Sequence, residues 1–151
     1  MAGFRFRLAT LMKIRESTRD ERRRNLAQAM EAFQVLQGRL TNIHDEQRSL
    51  LEQARSQAHE GAVNVDGLLV LHRYQWQLKH DEQVLKEQMR KVGDEVEKRR
   101  LALVEADRQV KTLEKLRERQ LERFRHEEER REAIRLDEIA NQRGAWKEVS
   151  L

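Results

Sequence analysis

The chain has 151 residues, 38% of them charged and only 5% aromatic, which leaves too little apolar mass for a wide globular core. Its net charge is only +4 with the signs interspersed, so the composition is that of long helices sharing a narrow seam and not of a disordered chain. Cysteine is absent, which excludes disulfides and thiolate metal sites; no apolar run approaches the ~20 residues of a membrane span, and Met1-Ala2-Gly3-Phe4-Arg5-Phe6-Arg7 has no signal core, so cytosol is the expected compartment.

Proline is missing throughout, and Leu, Ala, Glu, Gln, Lys and Arg dominate, so a first helix is predicted over about 4–58. Residues 1–25 carry eight Lys or Arg against Glu16, Asp20 and Glu21, a charge of +5 that leaves −1 for the rest of the chain. Phe4 and Phe6 stand among these arginines, either as a local staple or as an anchor for a partner. From Leu26 onward, Leu26, Ala29, Phe33, Leu36, Leu40, Ile43, Gln47, Leu50 and Ala54 alternate at spacings of three and four, the repeat of a left-handed coiled coil. Between Leu11 and Leu26 that stripe is broken by Arg15, Thr18 and Arg22.

The next interruption is the patch His59-Glu60-Gly61-Ala62-Val63-Asn64-Val65-Asp66-Gly67, with two glycines six residues apart. A turn over about 59–66 lets the chain fold back antiparallel, with Asn64 or Asp66 capping a second helix over about 67–143. Position numbers adding to about 126 would then face each other, and Phe4 would meet the region of Glu122. Just past the turn, Tyr74 and Leu78 share a face while Trp76 points elsewhere, so a bulky ring faces outward, unless the tip packs over Val63 and Val65. Leu85, Met89, Val92, Val96, Arg99, Leu103, Ala106, Val110 and Leu113 repeat the seam. Lys111, Lys115, Arg117, Arg119, Arg123 and Arg125 follow, interleaved with acids, and past Phe124 the stripe fails at Glu127-Glu128-Glu129-Arg130-Arg131. The end, with Trp146 and Val149, overhangs without a partner in this chain, and 144–151 is expected to fray. The fold class is therefore all-α, one long antiparallel two-helix coiled-coil hairpin spanning 1–151. A dimer of straight helices is the alternative that the pattern leaves open.

Catalytic signals are lacking. His44, His59, His72, His80 and His126 are scattered without the i,i+4 mate of a helical metal site, and there is no phosphate loop or nucleophile elbow. A two-helix body has no cleft in which carboxylates would be desolvated. The chain reads as a binding protein and not an enzyme, with no cofactor and no metal. Nucleic acid is a weak candidate because bases alternate with acids and no stacking platform appears. Direct membrane insertion is equally weak, since the apolar face is committed to the seam.

Phe4-Arg5-Phe6-Arg7-Leu8, followed by Leu11, Arg15 and Glu16, resembles the opening of the FliJ proteins of bacterial flagellar export. Tyr74-Gln75 opening the second helix, Leu113-Glu114-Lys115-Leu116-Arg117-Glu118-Arg119-Gln120, and Leu136-Asp137-Glu138-Ile139-Ala140-Asn141-Gln142-Arg143 fit the same family in order and spacing. The resemblance implies a component of the flagellar type III protein export apparatus, hence of flagellum biogenesis and motility, with a hairpin similar to the γ subunit of rotary ATP synthases. It implies insertion into the hexameric export ATPase, promotion of its ring, contact with the cytoplasmic region of the export-gate membrane protein, and cycling of export chaperones. Carried onto this chain, the ATPase would meet Phe4, Phe6, Leu8, Leu11, Arg15, Arg19, Arg22, Leu113, Leu116, Arg117 and Arg119. The gate would meet Tyr74, Gln75, Trp76 and Leu78. The implied location is cytoplasmic, peripherally associated with the inner membrane at the flagellar base. The equivalent stalk of a virulence-type injectisome is the nearest alternative, and a basic nucleic-acid-binding coiled coil a more distant one.

Overall fold

With no proline to remove a ladder hydrogen bond, each half of the chain winds into one helix. The computed structural model describes residues 3–59, 61 and 64–149. Helix α1 spans Ala9–His59 and helix α2 spans Val65–Val149. The two pack against each other as a coiled-coil hairpin, 94% helical, with no strand among the described residues. Two compact units are drawn from these helices: Met1–Arg19 with Glu105–Leu151, and Asp20–Val104.

The unit Asp20–Val104 carries the regular seam. Every seam residue expected there, from Leu26 to Ala54 on α1 and from Leu85 to Leu103 on α2, is buried or half-buried. Ala29, Leu50, Leu78 and Leu85 are the most enclosed, at 5–6% exposure. Full burial of a leucine contributes about 1.5–3 kcal/mol, and the half-buried positions contribute less. Asn25 faces Arg99, Phe33 lies against Gly93, and His44 faces Glu82, so the paired numbers add to within a few of the expected 126. This is the antiparallel register, and it replaces the straight-helix alternative.

Polar crossings at Arg99 and Glu82 help to fix that register. Arg99, a seam position, donates from Nη1 to the Asn25 carbonyl at 2.7 Å and from Nε to Glu95 Oε1 at 2.8 Å, so its guanidinium is satisfied across and along the seam. Glu82 accepts from Gln47 Nε2 at 3.0 Å and lies 2.8 Å from Lys86 Nζ and 3.1 Å from His44 Nε2. Hydrogen bonds from Lys86, Gln47 and His44 to its charged form hold the carboxyl at about 2, down from the ordinary 4.5.

The other unit is held differently. Val110 is 1% exposed, and Ala106, Met12 and Phe6 are buried with it. Phe4 stacks on Phe124 with ring centroids 5.8 Å apart and planes at 53°, a tilted geometry favourable to aromatic pairs. Arg15, one of the residues that breaks the stripe, is half-buried and donates from Nη1 to Gln109 Oε1 at 2.8 Å. Thr18 is half-buried as well, while Arg22, in the seam unit, is exposed. After Phe124 every described residue is exposed except half-buried Glu128, so α2 runs about 37 Å over 125–149 without a partner helix.

The helix ends depart from the sequence reading in instructive ways. α1 begins at Ala9, not near Phe4: the Ala9 N–H donates to the Phe6 carbonyl at 3.2 Å and the Met12 N–H to the Leu8 carbonyl at 2.9 Å. Side chains at i and i+2 share a side only in extended chain, so Phe4 and Phe6 both reach α2 only if this segment stays out of the helix. Burying two rings outweighs the few tenths of a kcal/mol per residue that helix propensity offers. At the other end of α1, Gly61 has φ +72°, the left-handed conformation that commonly ends helices and that favours glycine. Asn64 caps α2: its Oδ1 accepts the Gly67 N–H at 3.4 Å and its carbonyl accepts the Leu68 N–H at 3.1 Å, while Asp66 supplies the first-turn acid. Val63, expected at the tip, lies outside the described residues with Glu60 and Ala62, and Val65 is 64% exposed. α2 continues through Gly144 to Val149, past the expected end near 143.

Candidate partner-binding surfaces

In the unit that holds the N-terminal segment, extended residues 3–6 and the first turns of α1 present two kinds of surface. The aromatic side is occupied: Phe6 is 8% exposed and Phe4 half-buried on Phe124, so both act as a clasp onto α2 and not as protruding anchors. The other side is open. Leu8 and Leu11 are 37% and 38% exposed, and Ile14 is 57% exposed. Leu8 and Leu11 hold seam spacing ahead of Arg15 yet keep part of their surface open, and Ile14, spaced by three from Leu11 and off the stripe, extends them into a short apolar ridge. A concavity of about 400 Å³ lies between Phe4, Met12, Lys13, Glu16 and Arg117.

Of the basic residues expected at this surface, Arg117 and Arg119 are exposed, and Arg19 is half-buried. Arg15 is committed to Gln109, which positions its charge but limits its reach. Leu113 and Leu116 are half-buried. Arg22, in the seam unit, is exposed and charged. Ile14 was not singled out in the sequence, although an apolar residue standing off the stripe that runs through Leu11 was a usable signal.

In the seam unit, the residues expected at the tip separate. Leu78 is 5% exposed and belongs to the seam, which corrects its assignment to an open surface, and Gln75 is half-buried. Tyr74, 46% exposed, donates its hydroxyl to Glu46 Oε2 at 3.0 Å. That hydrogen bond, and then the Glu46 charge, push the phenol pKa up from 10.0. Trp76 is 70% exposed and faces outward, as the spacing required. Leu69, two turns earlier and 52% exposed, falls on the same face, so the outward ring does not stand alone. Leu69 too was missed, because only the seam stripe was followed there.

A groove along the helix pair is lined by Ala32, Val35, Leu36 and Val92 with the stems of Arg39 and Lys91, in a volume of about 480 Å³. Among the described residues no group of three or more His, Asp or Glu is placed to hold a metal ion, and no helix is long and apolar enough to cross a membrane. What the surfaces offer is apolar contact beside fixed charge, which is the chemistry of protein recognition.

Comparison with known families points the same way. The profile of the family described as "Flagellar FliJ protein" matches residues 4–148, nearly the whole chain. No curated protein and no solved structure matches it.

Proposed function

Because the chain belongs to the flagellar FliJ family and is therefore a component of the flagellar export apparatus, we propose that it is the coupling stalk of the export ATPase. In this reading the unit with the N-terminal clasp enters the hexameric ATPase and promotes its ring. The unit that carries the turn meets the cytoplasmic region of the export gate, and the protein hands on export chaperones. Its place is the cytoplasmic side of the inner membrane, held there by its partners. The stalk performs no chemistry of its own. It shifts the ATPase by binding that enzyme's conformations unequally.

The observation that carries the reading is the pairing of an exposed apolar ridge, Leu8, Leu11 and Ile14, with a basic surround. Charge steers an encounter with an acidic channel and apolar anchors give it specificity. Leu11 and Ile14 are available because the phenylalanines are tied down. Toward the gate, Trp76 with Leu69 supplies the outward apolar contact, and Tyr74 is fixed beside it by Glu46.

Mixing the purified protein with the export ATPase of the same organism tests this. Wild-type protein at stoichiometric levels should raise ATP hydrolysis and ring formation. Leu11→Asp with Ile14→Asp should abolish the effect while helicity by circular dichroism is unchanged. Stimulation that survives this double substitution removes the ridge from the mechanism. No stimulation by the wild type sinks the stalk reading itself.

A further inference from the structure

The stretch of α2 beyond Phe124 is exposed and helical to Val149, yet its outer face is patterned. Glu129, Glu132, Leu136, Ile139, Arg143 and Trp146 recur at spacings of three and four, the repeat of a coiled-coil core. Leu136 is 60%, Ile139 43% and Trp146 78% exposed. This stripe does not continue the intrachain seam. The seam's continuation passes through Ile134, and Leu136 is rotated about 200° from it around the helix. A longer α1 would therefore leave the stripe uncovered, and what fits it must come from outside the hairpin.

The order of residues along the stripe names the occupant. Antiparallel coiled coils stack each a position on a d position of the partner. Laid against itself in that way, the stripe puts Leu136 on Ile139 in both central layers. It puts Arg143 on Glu132 in both flanking layers and Trp146 over Glu129 at both ends. Ala133 and Ala140 fall at the flanking positions of the same overlap, where small side chains let two helices approach closely. Parallel pairing would instead stack Arg143 on Arg143 and Glu132 on Glu132, a repulsion that selects against it. We propose that this tail is a self-complementary docking surface, and that a second copy of the chain pairs with it antiparallel in the register Leu136–Ile139 and Glu132–Arg143. Six layers with only two wholly apolar ones make a small interface, so the association is concentration-dependent and not obligate. The proposal goes beyond the stalk reading and does not depend on it.

The absence of cysteine makes the register directly testable on the full chain. Sedimentation should show a monomer–dimer equilibrium for the wild type. Mixing Leu136→Cys with Ile139→Cys protein under mild oxidation should give a mixed disulfide dimer faster than either variant alone. Arg143→Glu should weaken dimerisation roughly tenfold or more by placing like charges in two layers, and adding Glu132→Arg should restore it. A chain that stays monomeric at every concentration overturns the proposal, as do faster self-crosslinks of Leu136→Cys or a dimer indifferent to Arg143→Glu. Hydrogen-exchange protection of the tail that appears only when an export partner is added, with no dimer, also overturns it and assigns the stripe to that partner.

Discussion

The two units use the same two helices and are held in different ways. Asp20–Val104 is a periodic seam in which no single residue dominates and polar crossings, those at Arg99 and Glu82 among them, help to fix the alignment. The N-terminal unit replaces periodicity with a clasp: Phe6 and Met12 buried, Phe4 on Phe124, and Arg15 tied to Gln109 where the stripe fails. The difference teaches that a coiled coil can tolerate a charged seam position near a helix end if that charge finds a polar partner across the pair, as Arg15 does in Gln109, and aromatic rings close the helix pair beyond it. It also divides buried from open apolar surface. The seam unit spends its apolar residues inside, whereas the clasp frees Leu8, Leu11 and Ile14 for the outside.

Breaking the seam should cost most. Leu85→Ala removes a leucine that is 6% exposed, and should destabilise the protein by about 2–4 kcal/mol in a urea melt followed by circular dichroism. Phe6→Ala should cost about 2 kcal/mol, less than a core phenylalanine because the terminal segment can relax. Hydrogen exchange sharpens the comparison here. Faster exchange in 9–19 with unchanged rates in 26–54 marks the clasp as a separate cooperative element, whereas uniform acceleration makes the hairpin one.

Acid provides the next test. The Glu82 carboxyl titrates lower in the fold than its ordinary value, so its contribution is full above about pH 4.5 and is lost as pH falls toward 2. With its side chain 18% exposed, on the order of 1–2 kcal/mol is at stake after screening. Wild type should therefore lose more stability than Glu82→Gln between about pH 6 and pH 3, and equal losses would mean the carboxylate does not anchor the register. Asn64→Ala, which deletes the cap of α2, should cost about 1 kcal/mol in the same melt. Trp76→Ala should change stability by less than about 0.5 kcal/mol, since its ring is 70% exposed, while weakening gate binding in a pull-down. A large loss of helicity there would make the ring structural.

Much of this fold was legible because its signals are periodic and local. The spacing of Leu26 through Ala54 and of Leu85 through Leu113 identifies the buried stripe. The Gly61 turn then sets the register by simple counting. Asn64 as cap was readable from residue type, with the choice over Asp66 decided by which oxygen reaches the Gly67 N–H. The N-terminal clasp was not read, because Phe4 and Phe6 follow a two-residue period inside a segment whose composition favours helix. The Glu82 cluster was hidden for another reason: Lys86 is its i,i+4 neighbour, but Gln47 and His44 converge on it only once the two helices are aligned. Among candidate surface residues, sequence reasoning found Trp76, Leu8 and Leu11, and missed Ile14 and Leu69. A stripe-seeking eye discards apolar residues that fall off the stripe, although those are the ones left over for partners.

The stacking of Phe4 on Phe124 has a practical corollary for anyone attaching something to this protein. Phe4 meets α2 25 residues before Val149, so a dye coupled at a Gly3→Cys substitution would sit beside the clasp. A dye coupled at Val149→Cys would be held about 37 Å farther along α2. Labels at these two positions therefore report on different neighbourhoods, and only the latter leaves the clasp undisturbed.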